Sequence, residues 1–155
     1  MASRAVKLDG YGSSADYGFD SIKFWMVEAC SAGDFVGLKA NDTTNPAGAE
    51  GFTAQLGDSD ASSDYDIIGI AMEAVSSAEA SAGGKLIQVQ TRGRYSTANV
   101  ATGASKGNNI VISSTGGRAE AVGVETADTR ILGRCLADSA SNVGDVILYP
   151  HPWLA

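Results

Sequence analysis

Few residues in this 155-residue chain could do chemistry. The single histidine, His151, stands between two prolines, and any Ser-His-Asp or Cys-His arrangement would have to use it. We expect His151 to be a surface or interface residue rather than a general base. Cys30 and Cys135 are far apart in sequence and stand beside small or apolar residues, so we expect two buried, reduced thiols. The sequence therefore predicts no catalytic residue, and we expect the chain not to be an enzyme.

The motifs that would bind a metal or a phosphate are incomplete. Four aspartates crowd the stretch DSDASSDYD at 58–66, but the sixth and twelfth positions from Asp58 are Ser63 and Gly69. A calcium loop of the EF-hand type needs Gly and Glu there. Two separated cysteines and one histidine do not make a zinc set, and GASKGN at 103–108 lacks the Gly-Lys-Ser/Thr ending of a phosphate-binding loop. We expect no metal and no cofactor.

Two arginines, Arg92 and Arg94, are the best candidates for contact with a partner. They end the stretch AGGKLIQVQTRGR at 82–94, in which apolar residues alternate with glutamines as in a half-exposed strand. Gly93 allows the chain to bend between them. Guanidiniums fixed at a strand end can bind carboxylates of a partner through paired hydrogen bonds. The alternative interpretation of the same sequence is two arginines that contact only solvent.

The net charge of −7 is unevenly distributed. Residues 28–80 carry ten acids and one base, whereas residues 85–134 carry seven bases and three acids. The chain lacks the basic footprint of a nucleic-acid-binding protein and an apolar run of about 18 residues that could span a membrane. The first apolar stretch, at 22–27, is too short for a secretory signal, which favours synthesis in a cytosol-like compartment. The two oppositely charged regions could pair between copies in a head-to-tail homo-oligomer.

The pattern of turns and strands predicts an all-β fold. Short apolar stretches such as IKFWMVE, YDIIGIAMEAV and NIVISS alternate with turns rich in Gly, Ser, Asp and Asn. We count about eight short strands, with one helical turn expected near 76–82. These signals indicate a small β-barrel or a compact sandwich spanning residues 22–155, with a long acidic loop at 41–64 that could hold a hairpin near Phe52.

Residues 1–21 show no periodicity and are expected to form an extended N-terminal arm. The arm carries Tyr11, Tyr17 and Phe19, three aromatic residues that a short strandless segment cannot bury alone. We expect the arm to become ordered against a partner, and we include these aromatic residues among the candidate partner-binding residues.

Two phrases recur along the chain. SAGDFVGLK at 31–39 is echoed by NVGDVILYP at 142–150, and IIGIAMEA at 67–74 by ILGRCLAD at 131–138. The first pair predicts tight turns that lead into strands with a buried next residue. The glycine inside the second pair predicts a bend or a close backbone approach.

The order of these phrases over residues 27–149 resembles the capsid cement, or head decoration, proteins of tailed bacteriophages. That family has an early Ala-Gly-Asp turn, a mid-chain Gly-hydrophobic-Ala phrase, and a closing Leu-Gly phrase followed by a Gly-Asp-Val-x-Leu strand. The resemblance implies a small β-barrel on the outer surface of a phage head, bound to the major capsid protein and to other copies of itself, commonly as a trimer. It implies no catalytic residues. The arm at 1–24 and the loop at 41–64 depart from the family pattern.

A small-molecule or glycan-binding β-barrel is the alternative. Trp25, Trp153 and Tyr95 could line a face that binds a sugar.

Overall fold

The computed structural model describes residues 20–39, 53–58, 67–123 and 130–149. Within these residues the chain forms nine strands and one short helix: β1 (Asp20–Met26), β2 (Phe35–Leu38), β3 (Thr53–Leu56), β4 (Ile67–Ala71), α1 (Ser77–Ser81), β5 (Lys85–Asn99), β6 (Asn109–Ile112), β7 (Ala119–Ala121), β8 (Gly133–Cys135) and β9 (Val143–Leu148). The predicted all-β fold is confirmed.

Five strands close into a barrel. Their order is β1-β3-β2-β4-β5, and β5 pairs again with β1, so that this sheet has no free end. The β1–β5 pairing is antiparallel over seven residue pairs, from Asp20 opposite Arg92 to Met26 opposite Lys85. The interior is filled by apolar side chains of different sizes: Phe24, Met26, Cys30, Val36, Ala54, Ala71, Val75, Ile87 and Val89.

The second half of β5 leaves the barrel and begins a second sheet. Its order is β5-β9-β8-β6-β7, with antiparallel pairing throughout. The last strand curls back to the chain just beyond β5, because Val100 forms a parallel bridge with Ala119 and the Ala101 amide donates to the Ala119 carbonyl at 2.8 Å. One 15-residue strand therefore belongs to both sheets.

A larger apolar core lies between the two sheets. It contains Phe35, Ile67, Ile70, Ala98, Val100, Ala104, Ile110, Ile112, Ala119, Leu132, Cys135, Val146 and Leu148. Neighbouring residues on β2 point in opposite directions, since Phe35 enters this core and Val36 enters the barrel. Strands β2 and β4 are thus covered on both faces.

Coverage on both faces explains one wrong expectation about β4. The stretch YDIIGIAMEAV at 65–75 predicts one strand with Ile68, Ile70, Met72 and Ala74 on the same face, but the strand ends at Ala71 and Ala74 is exposed. Ile70 and Ala71 are both fully buried, one in each core. A strand buried on both faces does not show a two-residue hydrophobic period.

Two segments that the sequence assigns to loops contain strand. β3 lies inside the predicted 41–64 loop and pairs with both β1 and β2. β5 continues to Asn99, into a stretch expected to be a loop, because Ala98 and the following Val100 are buried in the core between the sheets. The three polar residues around Ala98, which are Ser96, Thr97 and Asn99, gave this stretch the composition of a loop. The first strand also starts at Asp20, inside the segment assigned to the arm.

The predicted helical turn near 76–82 is present as α1. Ser76 caps it, because the Ser76 hydroxyl accepts from the Glu79 amide at 3.2 Å and the Glu79 carboxylate accepts from the Ser76 amide at 2.8 Å. The hydrogen bonds that the Ser76 amide and hydroxyl donate to the Glu79 carboxylate lower the pKa of Glu79 below its usual value. Gly83 and Gly84 follow with positive φ and end the helix.

The glycines of the second repeated phrase lie where the backbone is crowded. A Cβ on Gly69 would overlap the carbonyl oxygen of Gln90, and a Cβ on Gly133 would overlap that of Ile147. The predicted close backbone approach is therefore confirmed at both positions.

The first repeated phrase marks the turn only in its first copy, whereas the residue after Gly-Asp is buried in both copies, as Phe35 and as Val146. Gly33 has φ +101° in a turn and Phe35 is fully buried, as expected. In the second copy the turn lies earlier, at Ser141 and Asn142, and Gly144 is already within β9.

Candidate interaction surface

The Arg-Gly-Arg segment marks the point where β5 passes from the barrel to the second sheet. Arg92 is the last β5 residue paired with β1, and Gly93 is the first paired with β9, opposite Leu148. Gly93 is buried and has φ +90°, a conformation that favours glycine. The predicted bend at Gly93 is confirmed.

A buried glutamine holds this bend. The Gln90 side-chain amide donates to the carbonyl oxygens of Arg92, at 3.1 Å, and Arg94, at 2.9 Å. The expectation that Gln90 faces solvent is wrong. Its cross-strand partner is Ile70, which belongs to the core between the sheets, so the second sheet covers the outer face of the barrel here.

Both candidate arginines contact carboxylates of their own chain. Arg92 Nε lies 2.6 Å from Asp20 Oδ2, with both side chains about half exposed. Arg94 forms a two-pronged pair with Asp145, from Nε to Oδ1 at 2.9 Å and from Nη2 to Oδ2 at 2.7 Å. Asp145 is only 20% exposed. Contact between these arginines and a partner stays a prediction.

A row of side chains crosses the outer face of the second sheet. Arg94 lies opposite Ile147, Ile147 opposite Arg134, and Arg134 opposite Asn109, and directly opposed residues project from the same face of a sheet. The Val122 amide donates to the Asn109 carbonyl at 2.9 Å and extends the row to the edge. At about 4.8 Å per strand the row is about 19 Å long.

We call this surface the arginine face. It consists of the row and the two outward residues of β9 that flank it: Arg94, Asn109, Val122, Arg134, Val143, Asp145 and Ile147. Val122 is 53% exposed and Val143 47%. Arg134 is exposed, and its Nε donates to the side-chain oxygen of Asn109 at 3.2 Å, an uncharged acceptor.

Sequence reasoning found Arg94 but missed the other members of this face. One signal was available, because Val143, Asp145 and Ile147 alternate with buried residues along β9. Arg134 carried no such signal, since β8 has only three residues.

The outer face of the barrel carries a different exposed feature. Trp25 lies opposite Leu86, which is 48% exposed. Trp25 Nε1 donates to the Gly83 carbonyl at 2.6 Å, and a Cβ on Gly84 would approach Trp25 Nε1 to 2.7 Å. Gly84, the second glycine of the pair in the stretch at 82–94, therefore makes room for the indole ring.

Two aromatic residues of the glycan-binding alternative, Trp25 and Tyr95, lie on different faces. Trp25 is on the outer face of the barrel, whereas Tyr95 packs against the core between the sheets, with its hydroxyl 3.4 Å from the Ala71 carbonyl. Burial raises the pKa of Tyr95. An apolar crevice beside Phe35 and Tyr149 has room for about one water molecule.

Both cysteines are free and buried, as expected. Burial raises the pKa of each thiol, and the nearby Asp138 adds to this effect at Cys135. In the described ranges no three His, Cys, Asp or Glu side chains group closely enough to hold a metal ion. Nor does this part of the chain contain a helix long and apolar enough to span a membrane.

Several candidates lie outside the described residues. They are Tyr11, Tyr17, Phe19, His151, Trp153 and most of the acidic stretch at 58–66. Their predicted roles stay predictions.

The chain matches no protein-family model and no curated protein.

Proposed function

We propose that the protein is a capsid decoration, or cement, protein that binds the outer surface of a bacteriophage head and links neighbouring major capsid subunits. It acts as a homo-oligomer, most simply a trimer, and supplies contacts rather than catalysis. The observation that carries the proposal is the order of turn and core phrases over residues 27–149, which resembles that family.

The crowded glycines support this argument. Gly69 and Gly133 belong to the phrases that carry the resemblance, and each lies against a carbonyl oxygen where a side chain would not fit. The phrases are thus tied to backbone geometry, so a protein with the same phrases in the same order has reason to share the fold.

The surface chemistry suits a structural role. An exposed face that combines arginines with valine and isoleucine has the composition of protein–protein contact surfaces, where Arg is enriched. Weak contacts of this kind, repeated around a symmetric shell, give tight overall attachment through avidity.

The test is binding to phage heads. Heads of the phage that encodes the chain are prepared without it, mixed with limiting purified protein, and sedimented, and bound protein is then quantified. We expect saturable binding and a higher temperature of head disruption. Heads that neither bind the protein nor gain stability would refute the proposal.

Two variants test the predicted contact residues. One lacks residues 1–19, which leaves β1 intact from Asp20, and the other combines Arg92→Ala with Arg94→Ala. Lys23→Ala, an exposed change on the outer face of the barrel, is the control. We expect both variants to occupy fewer sites than the control at limiting protein. Unchanged occupancy removes the corresponding residues from the contact.

A further inference from the structure

The arginine face also has the features expected of a surface that binds another copy of the chain. We propose that the arginine face of one copy docks on a second copy, at a surface other than its own arginine face. The inference rests on the self-association included in the proposed function and identifies the surface responsible.

The arginine face has the amino-acid composition of a protein–protein contact surface. Val122, Val143 and Ile147 place three aliphatic side chains on one sheet face, and two of them are about half exposed. Arg94 and Arg134 stand among them. Contact surfaces between proteins combine apolar side chains with arginine in this way and are depleted in lysine and glutamate. No lysine is among the seven residues of this face, and Glu120, which projects from the same side of the sheet two positions before Val122, is only 8% exposed.

The charged residues of the arginine face do not balance. Asp145 is the acidic residue of the face, and Arg94 binds both of its oxygens. Arg134 donates to a neutral amide, so the seven residues of the face, with two arginines and one aspartate, carry a net charge of +1.

A second copy supplies the opposite charge. The full chain has 11 basic and 18 acidic residues, and nine of each lie in the described ranges. The net charge of −7 therefore falls on the other residues of the chain. Carboxylates among those residues of another copy are partners of opposite charge for Arg134.

The positive charge of Arg134 favours a heterologous contact over a two-fold symmetric one. Two arginine faces opposed across a two-fold axis would bring the Arg134 side chains of both copies toward each other, which is unfavourable. A contact between the arginine face and a different surface is heterologous, and such a contact generates a closed ring when its rotation closes.

Site-specific photo-crosslinking tests the surface. The photoreactive amino acid p-benzoylphenylalanine replaces Val122 in one variant and Leu86 in a matched control, because the two side chains are similarly exposed on different sheets. We expect ultraviolet light to produce covalent dimers of the full chain from position 122 and not from position 86. Peptide mapping should place the second end of the crosslink outside the arginine face.

A charge reversal tests the energetics. Arg134→Glu is compared with Lys23→Glu, which changes the charge equally on the outer face of the barrel. We expect Arg134→Glu to raise the dissociation constant of self-association, measured by sedimentation equilibrium, by about tenfold or more, and Lys23→Glu to leave it nearly unchanged. Equal melting temperatures of the two variants exclude a folding defect.

Three outcomes would overturn the inference. Crosslinking from position 86 and not from 122 would show self-association through another surface, leaving the proposed function intact. A chain that is monomeric at every concentration would overturn the inference and the self-association, while binding to phage heads would still be judged by its own assay. On phage heads, crosslinking of position 122 to the major capsid protein alone would assign the face to the capsid.

Discussion

The two sheets use a similar pair of strands in different ways. In the barrel, β4, which contains Gly69, pairs with β2, which directly follows Gly33 and Asp34. In the second sheet, β8, which begins at Gly133, pairs with β9, which contains Gly144 and Asp145. Gly69 is opposite Val36 on β2, yet its missing side chain makes room for β5. Gly133 is opposite Leu148 on β9 and makes room for that same strand.

The difference shows that two copies of one sequence phrase need not lie against corresponding strands. Both phrases require a glycine because backbone approaches closely, but the strand that approaches differs. The outer surfaces differ as well. The barrel exposes Trp25 and Leu86 beside the glycine turn, whereas the second sheet exposes the arginine face.

The largest effect is expected from truncating Phe35. Phe35→Ala removes a fully buried ring from the core between the sheets and should lower the free energy of unfolding by about 4 kcal/mol. Val36→Ala, its neighbour in the barrel core, should cost about 2 kcal/mol. Urea denaturation measures both. If the sheets unfold together, each variant shows one transition, and two separate transitions would mean that they are independent units.

The crowded glycines come next. Gly69→Ala and Gly133→Ala should each destabilise the protein by about 3 kcal/mol, because the atoms in the way are backbone and cannot rotate aside. Gly116→Ala is the control, since its nearest contact would be Leu56 at 3.7 Å, and it should change stability by less than about 0.5 kcal/mol. Hydrogen exchange should locate the damage between β4 and β5 for Gly69 and between β8 and β9 for Gly133. Faster hydrogen exchange at the same strands in both variants would contradict the conclusion that the two glycines make room for different strands.

A smaller effect is expected at the junction of the two sheets. Gln90→Leu removes the side-chain amide that donates to the Arg92 and Arg94 carbonyl oxygens. This change should lower the free energy of unfolding by about 2 kcal/mol. Gln88→Leu, on the outer face of β1 and β5, is the matched control and should cost less. Thermal unfolding of both variants tests the difference. Equal costs would show that the buried amide does not stabilise the bend.

The smallest effects are expected from the two ion pairs. Arg94→Ala loses a two-pronged contact with a mostly buried carboxylate and should cost about 1 kcal/mol. Arg92→Ala loses a pair with both side chains about half exposed and should cost less than about 0.5 kcal/mol. Double-mutant cycles with Asp145→Ala and Asp20→Ala measure each coupling. A larger coupling energy for Arg92 and Asp20 than for Arg94 and Asp145 would contradict this prediction.

The fold class followed from the sequence because turns and strands leave local signals. Glycine-rich turns, a helical turn near 76–82 and a close backbone approach at the glycines of the second repeated phrase were all predicted from the sequence. Strand β3 and the end of β5 were not. β3 is short and stands among polar residues, and its backbone is held by strands that are distant in sequence. The residues around Ala98 are polar and were taken for a loop.

The candidate surface was predictable only in part. Arg92 and Arg94 were found because they flank a glycine at a strand end, but their own carboxylate partners, Asp20 and Asp145, are 72 and 51 positions away. The arginine face joins residues from five strands, and no sequence spacing reveals such a set. Gln90 was assigned to solvent because alternation predicts which residues share a face and not what covers that face.

The seven-pair contact between β1 and β5 has a mechanical consequence for any load applied through the residues before Asp20. Hydrogen bonds in an antiparallel pair lie perpendicular to the strands. A pull along the axis of β1 loads all seven pairs in shear at once, so they resist together. A pull across the axis opens them one after another, starting with the exposed Asp20–Arg92 pair. Single-molecule pulling from position 20 in these two directions should give a higher rupture force for the first. An anchor on this side of the barrel would hold best when the tension follows the strand.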